Sequence, residues 1–364
     1  MFSVSSYAQL DNTYLQDKIN INPEDSSRFG VSLNVFNYMR NTEYYNDIEV
    51  GRTLFGYQLN PKLFYQASPH IKIETGVFLR NDFGGKNPYT FAIPAFTLKT
   101  QYNNLSMLFG TLEGALSHRM IEPMFDIARA IENRIENGFQ LKYVTGKTFF
   151  DTWINWENFI ERGSTSKEQL TAGINYTPVV YQSKNDLSVS IPLQGMISHR
   201  GGQIDKDTID QLYVKINAAI GLRLSKRYTA GFIKELRLEP YYLIYKENSS
   251  SGMPFDNGSA YYVNAFVNTK YLGMMLSYWN ANDFIAPRGT AIYQVQSVDN
   301  PAYFIKDGKR ELLFLRFLYE KPLFDRLFMT ARLEPFYDLK TTQVDYSYSL
   351  YLSYKQDFNF RKRK

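Results

Sequence analysis

The chain has 364 residues, a formal net charge of +5, no cysteine and 16% aromatic residues, with 29 Tyr and 27 Phe. The lack of cysteine excludes disulfides, a thiolate zinc site and a lipid-modified cysteine anchor, and the small, dispersed charge excludes a nucleic-acid-binding stripe. No apolar run approaches the roughly 18 residues of a membrane-crossing helix, and the mean hydropathy is only −0.37.

Residues 1–9 read as the last part of a secretory signal peptide, with the small residues Ser6 and Ala8 ahead of a cleavage point, and 10–27 as a periplasmic lead-in. From residue 28 onward apolar residues alternate with polar ones, the period of a β-strand. Sixteen strands are predicted, over 28–40, 53–66, 70–80, 89–100, 104–112, 138–145, 148–157, 168–178, 186–199, 210–224, 229–245, 258–269, 271–280, 310–320, 326–337 and 344–360, with fourteen as the alternative count. Short joins such as Ala67-Ser68-Pro69, Asn103-Asn104 and Gly146-Lys147 alternate with long polar connections at 41–52, 81–88, 113–137, 158–167, 200–209, 246–257 and 281–309. That rhythm belongs to transmembrane barrels, which have short periplasmic turns and longer outer loops.

Charge decides which wall meets lipid. The faces Ile71, Ile73, Thr75, Val77, Leu79 and Leu187, Val189, Ile191, Leu193, Gly195, Ile197 hold no charged residue. An Arg or Lys on a lipid-facing strand costs about 2 to 4 kcal/mol at the bilayer midplane, so such clean faces are what lipid selects. The opposite phase carries Lys72, Glu74, Arg80, Trp153, Lys215, Arg223, Arg237, Glu239, Arg332, Glu334, Lys355 and Asp357, which are read as lumen-facing. Arg237-Leu238-Glu239-Pro240 recurs as Arg332-Leu333-Glu334-Pro335, placing Arg and Glu two apart on one face as a charge ladder or as an echo of hairpin duplication. Trp153 is either a lumenal surface on which a sugar ring stacks or a tryptophan of the interface girdle.

The stretch 113–137 departs from period two. Pro123 suits a first helical turn, and Met124, Ile127, Ala128, Ile131 and Ile135 follow helical spacing, with Asn137-Gly138 as a stop. A helix of about three turns is therefore predicted in the third outer connection. The longest alternating run closes the chain, Val344 to Phe360, followed by a basic tail at 361–364. A long strand ending on an aromatic resembles the closing strand of Gram-negative outer-membrane β-barrels.

The resemblance implies an integral outer-membrane protein, whose terminal aromatic helps the outer-membrane assembly machinery recognise the chain. Its partners are outer-membrane lipid, lipopolysaccharide and small hydrophilic solutes. The position of 113–137 is similar to the third loop of general porins, which folds into the barrel and narrows the pore. That similarity nominates Glu113, His118, Arg119, Glu122, Asp126 and Arg129 as the pore constriction, where oppositely signed groups across a narrow bore sort polar solutes. The competing placement for the helix is a cap on the rim.

Ser117-His118-Arg119 and Ser198-His199-Arg200 fall at outer strand ends. A Ser from one and the His of the other, oriented by Asp126 or Asp205, would make an outer-membrane lipid hydrolase; polar rim residues facing lipopolysaccharide are the plainer reading. His70 lies at the opposite end, and Asp283 with Asn280 and Asn282, or Asp205 with Asp207, lacks the spacing of a built calcium loop, so no metal or cofactor is assigned. The expectation is an all-β transmembrane antiparallel up-and-down barrel over 28–360 with one short helix in its third extracellular loop. Its leading function is a porin-like channel with no enzymatic activity, ahead of a nonconducting barrel acting in adhesion, assembly or secretion through its loops, with the hydrolase third.

Overall fold

The protein, described by a computed structural model over residues 12–207, 212–249 and 255–360, is a closed antiparallel barrel. The signal remnant expected at 1–9 and the tail at 361–364 lie outside the described residues. The strands are β1 (Arg28–Glu43), β2 (Thr53–Ser68), β3 (Ile71–Asp82), β4 (Phe91–Tyr102), β5 (Leu105–Thr111), β6 (Asn137–Val144), β7 (Thr148–Asn158) and β8 (Glu168–Gln182). Then come β9, in two segments Leu187–Ser190 and Leu193–Gly201, and β10, in two segments Tyr213–Gly221 and Arg223–Arg227. The last six are β11 (Ile233–Glu247), β12 (Asn257–Thr269), β13 (Gly273–Asn282), β14 (Lys309–Phe324), β15 (Leu327–Asp338) and β16 (Gln343–Phe360). Sixteen strands result, each paired with its chain neighbours, and β16 returns to β1 in an unbroken register from Phe29 opposite Phe360 to Glu43 opposite Tyr346.

Period two fixes the two walls. On β16 Val344, Tyr348, Leu350, Phe358 and Phe360 are exposed outward, whereas Asp345, Ser347, Ser349, Tyr351 and Ser353 are buried inward. Ladder pairing lapses where a strand carries proline, which has no N–H to donate. The β10–β11 ladder skips Leu222 and Arg223 opposite Pro240 and Glu239, and the β14–β15 ladder skips Leu315 and Arg316 opposite Pro335 and Glu334. The two Arg-Leu-Glu-Pro repeats thus sit in the same structural setting, each facing a Leu-Arg pair on the preceding strand.

Loops enter the interior. The outer connections 112–136 and 283–308 fold inward, and a large apolar cluster holds Leu112, Met120, Ile121, Met124 and Phe125 of the first with Phe284, Ile285, Tyr293 and Val295 of the second against Tyr241, Tyr262, Trp279 and Phe314 of the wall. From the opposite end the stretch 12–22, within the expected lead-in, reaches inward side chains: Asn12 accepts from Arg332, the Gln16 carbonyl from Lys355, and Asp17 pairs with Arg134. Two interior cavities measure only about 20 and 10 Å³, roughly one water or less each.

Candidate functional site

The predicted three-turn helix is reduced to one α-helical turn, Arg129–Glu132, after a 3-10 turn at Ala115–His118. The physical reason lies in the neighbouring loop. In a helix the Asp126 N–H would bond the Glu122 carbonyl; instead it donates to the Arg288 carbonyl at 2.8 Å, and the Glu122 carbonyl accepts from Thr290 N at 2.9 Å. Asp126 then caps what remains, its carboxylate accepting from Ala128 N at 2.9 Å and from the Thr290 hydroxyl at 3.1 Å.

All six residues nominated for a constriction point into the barrel, and each is tied to a partner. Glu113 takes Lys99 at 2.7 Å, Lys142 at 2.8 Å and the Ile19 N–H at 3.0 Å. Burial would raise its carboxyl, but the two ammonium groups hold it well below the usual carboxylate range. His118 is fully buried, with Nδ1 2.8 Å from Asp151, Nε2 2.9 Å from Glu136, and its ring stacked on Trp153 at 3.6 Å between centroids. Burial alone would lower this imidazole, yet the two carboxylates outweigh it and raise it. Glu122 pairs with Arg316 at 2.7 Å and Arg332 at 3.4 Å. The Arg119 guanidinium lies over Phe149 at 4.1 Å, and Arg129 pairs with Glu157 at 3.3 Å.

Of the residues read as lumenal, Lys72, Glu74, Trp153, Lys215, Arg223, Arg237, Glu239 and Arg332 are buried, Arg80, Glu334 and Lys355 are half-buried, and Asp357 is exposed near the end of β16. They form ladders: Lys62 and Lys72 each 3.0 Å from Glu74, Arg223 and Arg237 on Glu239 at 2.5 and 3.0 Å, and Arg332 on Glu334 at 2.8 Å. Trp153 therefore faces inward and is no girdle residue, and the flat surface that would take a sugar already carries the His118 ring.

The Ser–His pairing across the two tripeptides does not form. Both His118 nitrogens are occupied, Ser117 Oγ accepts from Gln140 at 3.3 Å, and Ser198 is buried inward with no partner on its hydroxyl. Asp205 is taken by Lys167 at 2.6 Å. His70 Nδ1 lies 3.0 Å from the Gln101 carbonyl, which leaves His199 as the histidine, among the described residues, whose ring makes no hydrogen bond.

His199 sits on the lipid-facing wall. Register places it in an outward row with Leu170 and Val214, beside the exposed Trp156, near the outer ends of β8 to β10. Its ring folds over Gly201, where a Cβ would lie 2.7 Å from Cε1 and Nε2. Across β8–β9 Gly201 faces Glu168, which puts Glu168 in the outward row next above that of His199. Lys246, exposed, lies outward one row deeper and one strand further on, opposite Ile216. The sequence places His199 only at an outer strand end; the strand register is what sets it on the outward row with Trp156, Glu168 and Lys246 nearby.

A family model described as lipid A 3′-O-deacylase-type matches residues 21–363. The chain belongs to that family. The expectation that it is not an enzyme is thereby corrected, since the family is one of deacylases. Period-two patterning reports the wall of a barrel and carries no trace of chemistry performed upon it, which is why composition and alternation missed the activity. No curated protein matches the sequence. Among solved structures the chain is similar to the outer-membrane protein OprD of Pseudomonas aeruginosa, with a TM-score of 0.55 and 10% identity, covering 98% of this chain and 100% of that one. It is also similar to a loop-deletion mutant of OmpT, an outer-membrane protein of Vibrio cholerae, with a TM-score of 0.53, 10% identity and coverage of 91% and 100%. These likenesses show the fold, a sixteen-stranded outer-membrane barrel. This deacylase-type chain is an integral outer-membrane protein on that scaffold.

Proposed function

We propose that the protein hydrolyses an O-linked acyl ester of a lipid A-type glycolipid in the outer leaflet, at the outward rim of β8 to β10, with His199 as general base. The observation that carries this reading is His199 itself: an imidazole with no hydrogen-bond partner among the described residues, on the membrane-facing row at the outer strand ends, in a chain of deacylase type. Neutral imidazole takes a proton from water as the water oxygen bonds the ester carbonyl carbon. The acyl C–O bond then breaks and the proton passes to the departing sugar oxygen, giving a free fatty acid and an alcohol. Trp156 suits the interfacial depth at which amphipathic rings sit.

A second reading keeps the barrel as a channel for small hydrophilic solutes, narrowed by 113–137. The observation that favours it is the charged inner wall, with Glu113, Glu122 and Arg129 among the inward groups. Reconstitution in vesicles containing lipid A and an entrapped dye separates the two. Loss of one acyl mass with the dye retained supports hydrolysis; dye release with the glycolipid unchanged supports the channel.

A further inference from the structure

We infer that a hollow in the lipid-facing wall at Gly195 and Ala218 receives the acyl chain whose ester His199 attacks, and that its floor sets the chain length accepted. This inference rests on the proposed deacylation. Two rows below His199 the outward positions narrow to Gly195 opposite Ala218, flanked by Ile174 and Ile244, while the next row carries Tyr176, Leu193, Ile220 and Tyr242. The small pair amid large neighbours opens a cavity of about 740 Å³, within the range of small-ligand sites. Gln194 and Ala219, whose side chains belong to the inward phase, also line it beside Gly195 and Ala218.

Position and charge argue for a glycolipid acyl chain. A strand rises about 3.3 Å per residue, so the hollow begins roughly 13 Å from His199 along the same outward row, the reach of a medium-length chain whose carbonyl lies at the imidazole. Between the two levels Lys246, exposed and opposite Ile216, offers a cation among apolar neighbours, and such a cation is favourable where a phosphate or other anionic headgroup meets it. A bare acyl chain has no use for Lys246. A second copy of the barrel would have to cover it, and would need more than 1,000 Å² or so of matched surface to hold.

The test compares release of tetradecanoyl and decanoyl chains from synthetic lipid A by the wild-type protein and by Gly195→Leu and Ala218→Leu, with heat-modified gel mobility confirming the folded barrel. Filling the floor is expected to lower the tetradecanoyl-to-decanoyl ratio about tenfold. An unchanged ratio, or an equal fall for both chains, overturns the inference. In parallel, a lipid A analogue with a diazirine at the end of its acyl chain is photolysed on the wild-type protein. Labelling of Leu193 or Ile220 supports the hollow even if no hydrolysis occurs, in which case only the deacylase reading fails. Labelling elsewhere while hydrolysis proceeds overturns the hollow alone, as does crosslinking of barrel to barrel across Gly195.

Discussion

His118 holds the inner segment to the wall through two carboxylates and one ring. Replacing it with leucine leaves Asp151 and Glu136 facing each other in a buried site without their cation, and stranding buried charges in this way costs about 3 to 5 kcal/mol. The expected outcome for His118→Leu is a clear fall in the temperature at which the barrel loses its compact gel mobility in detergent. Because the folded imidazole is raised above its ordinary value, its contribution is full below about pH 6.5 and is lost as pH rises through the folded value. Glu49, in the loop after β1, behaves oppositely to a paired carboxylate. Burial, aided by Asp126 and opposed by Arg40 and Arg52, pushes its carboxyl up to about 7 from 4.5. Between those values the folded state binds more protons than the unfolded one, so stability falls as pH rises through that window. Glu49→Gln is therefore expected to stabilise the protein at pH 8 by about 1 to 3 kcal/mol, and to change little at pH 4; equal effects at both values would contradict the assignment.

At the scale of the element, the strands were legible and the inner loops were not. Period two needs only local chemistry, so the span over 344–360 and the outward face Leu187 to Ile197 read directly, even across the break in β9. The Arg-Leu-Glu-Pro repeats were legible as ladders because positions two apart share a face. The helix expected within 113–137 failed because its backbone bonds were claimed by residues more than 160 positions away, at Arg288 and Thr290, which no local pattern can show. That docking has a narrow point: a Cβ on Gly289 would lie 2.1 Å from the Pro123 carbonyl. Gly289→Val is expected to part the two loops and to make trypsin cut at Arg119, Arg129 or Arg134 in the folded barrel, where the wild-type protein resists. Unchanged resistance would mean the loops are not held by that contact. The same logic explains the site: His199 was visible as a residue, but Glu168, Trp156 and Lys246 come from three different strands.

For the whole molecule, a barrel wide enough for sixteen strands would ordinarily leave an aqueous bore, and here that space is occupied by 112–136, 283–308 and 12–22. Removing residues 119–136 is expected to convert steady low current in planar bilayers into large stepwise conductance, because Glu122 and Met120, Ile121, Met124 and Phe125 of the apolar cluster leave with them; a current unaltered by the deletion would place the barrier elsewhere. With the interior occupied, the proposed chemistry falls to the wall that faces lipid. The most direct test is the rate of fatty acid release from lipid A by the purified protein in detergent, followed by mass spectrometry for wild type and His199→Gln. The account predicts loss of one acyl chain by the wild type and a fall of about 10²- to 10⁴-fold in the variant. Undiminished release by His199→Gln, or no release by a wild-type barrel that conducts ions, would contradict it.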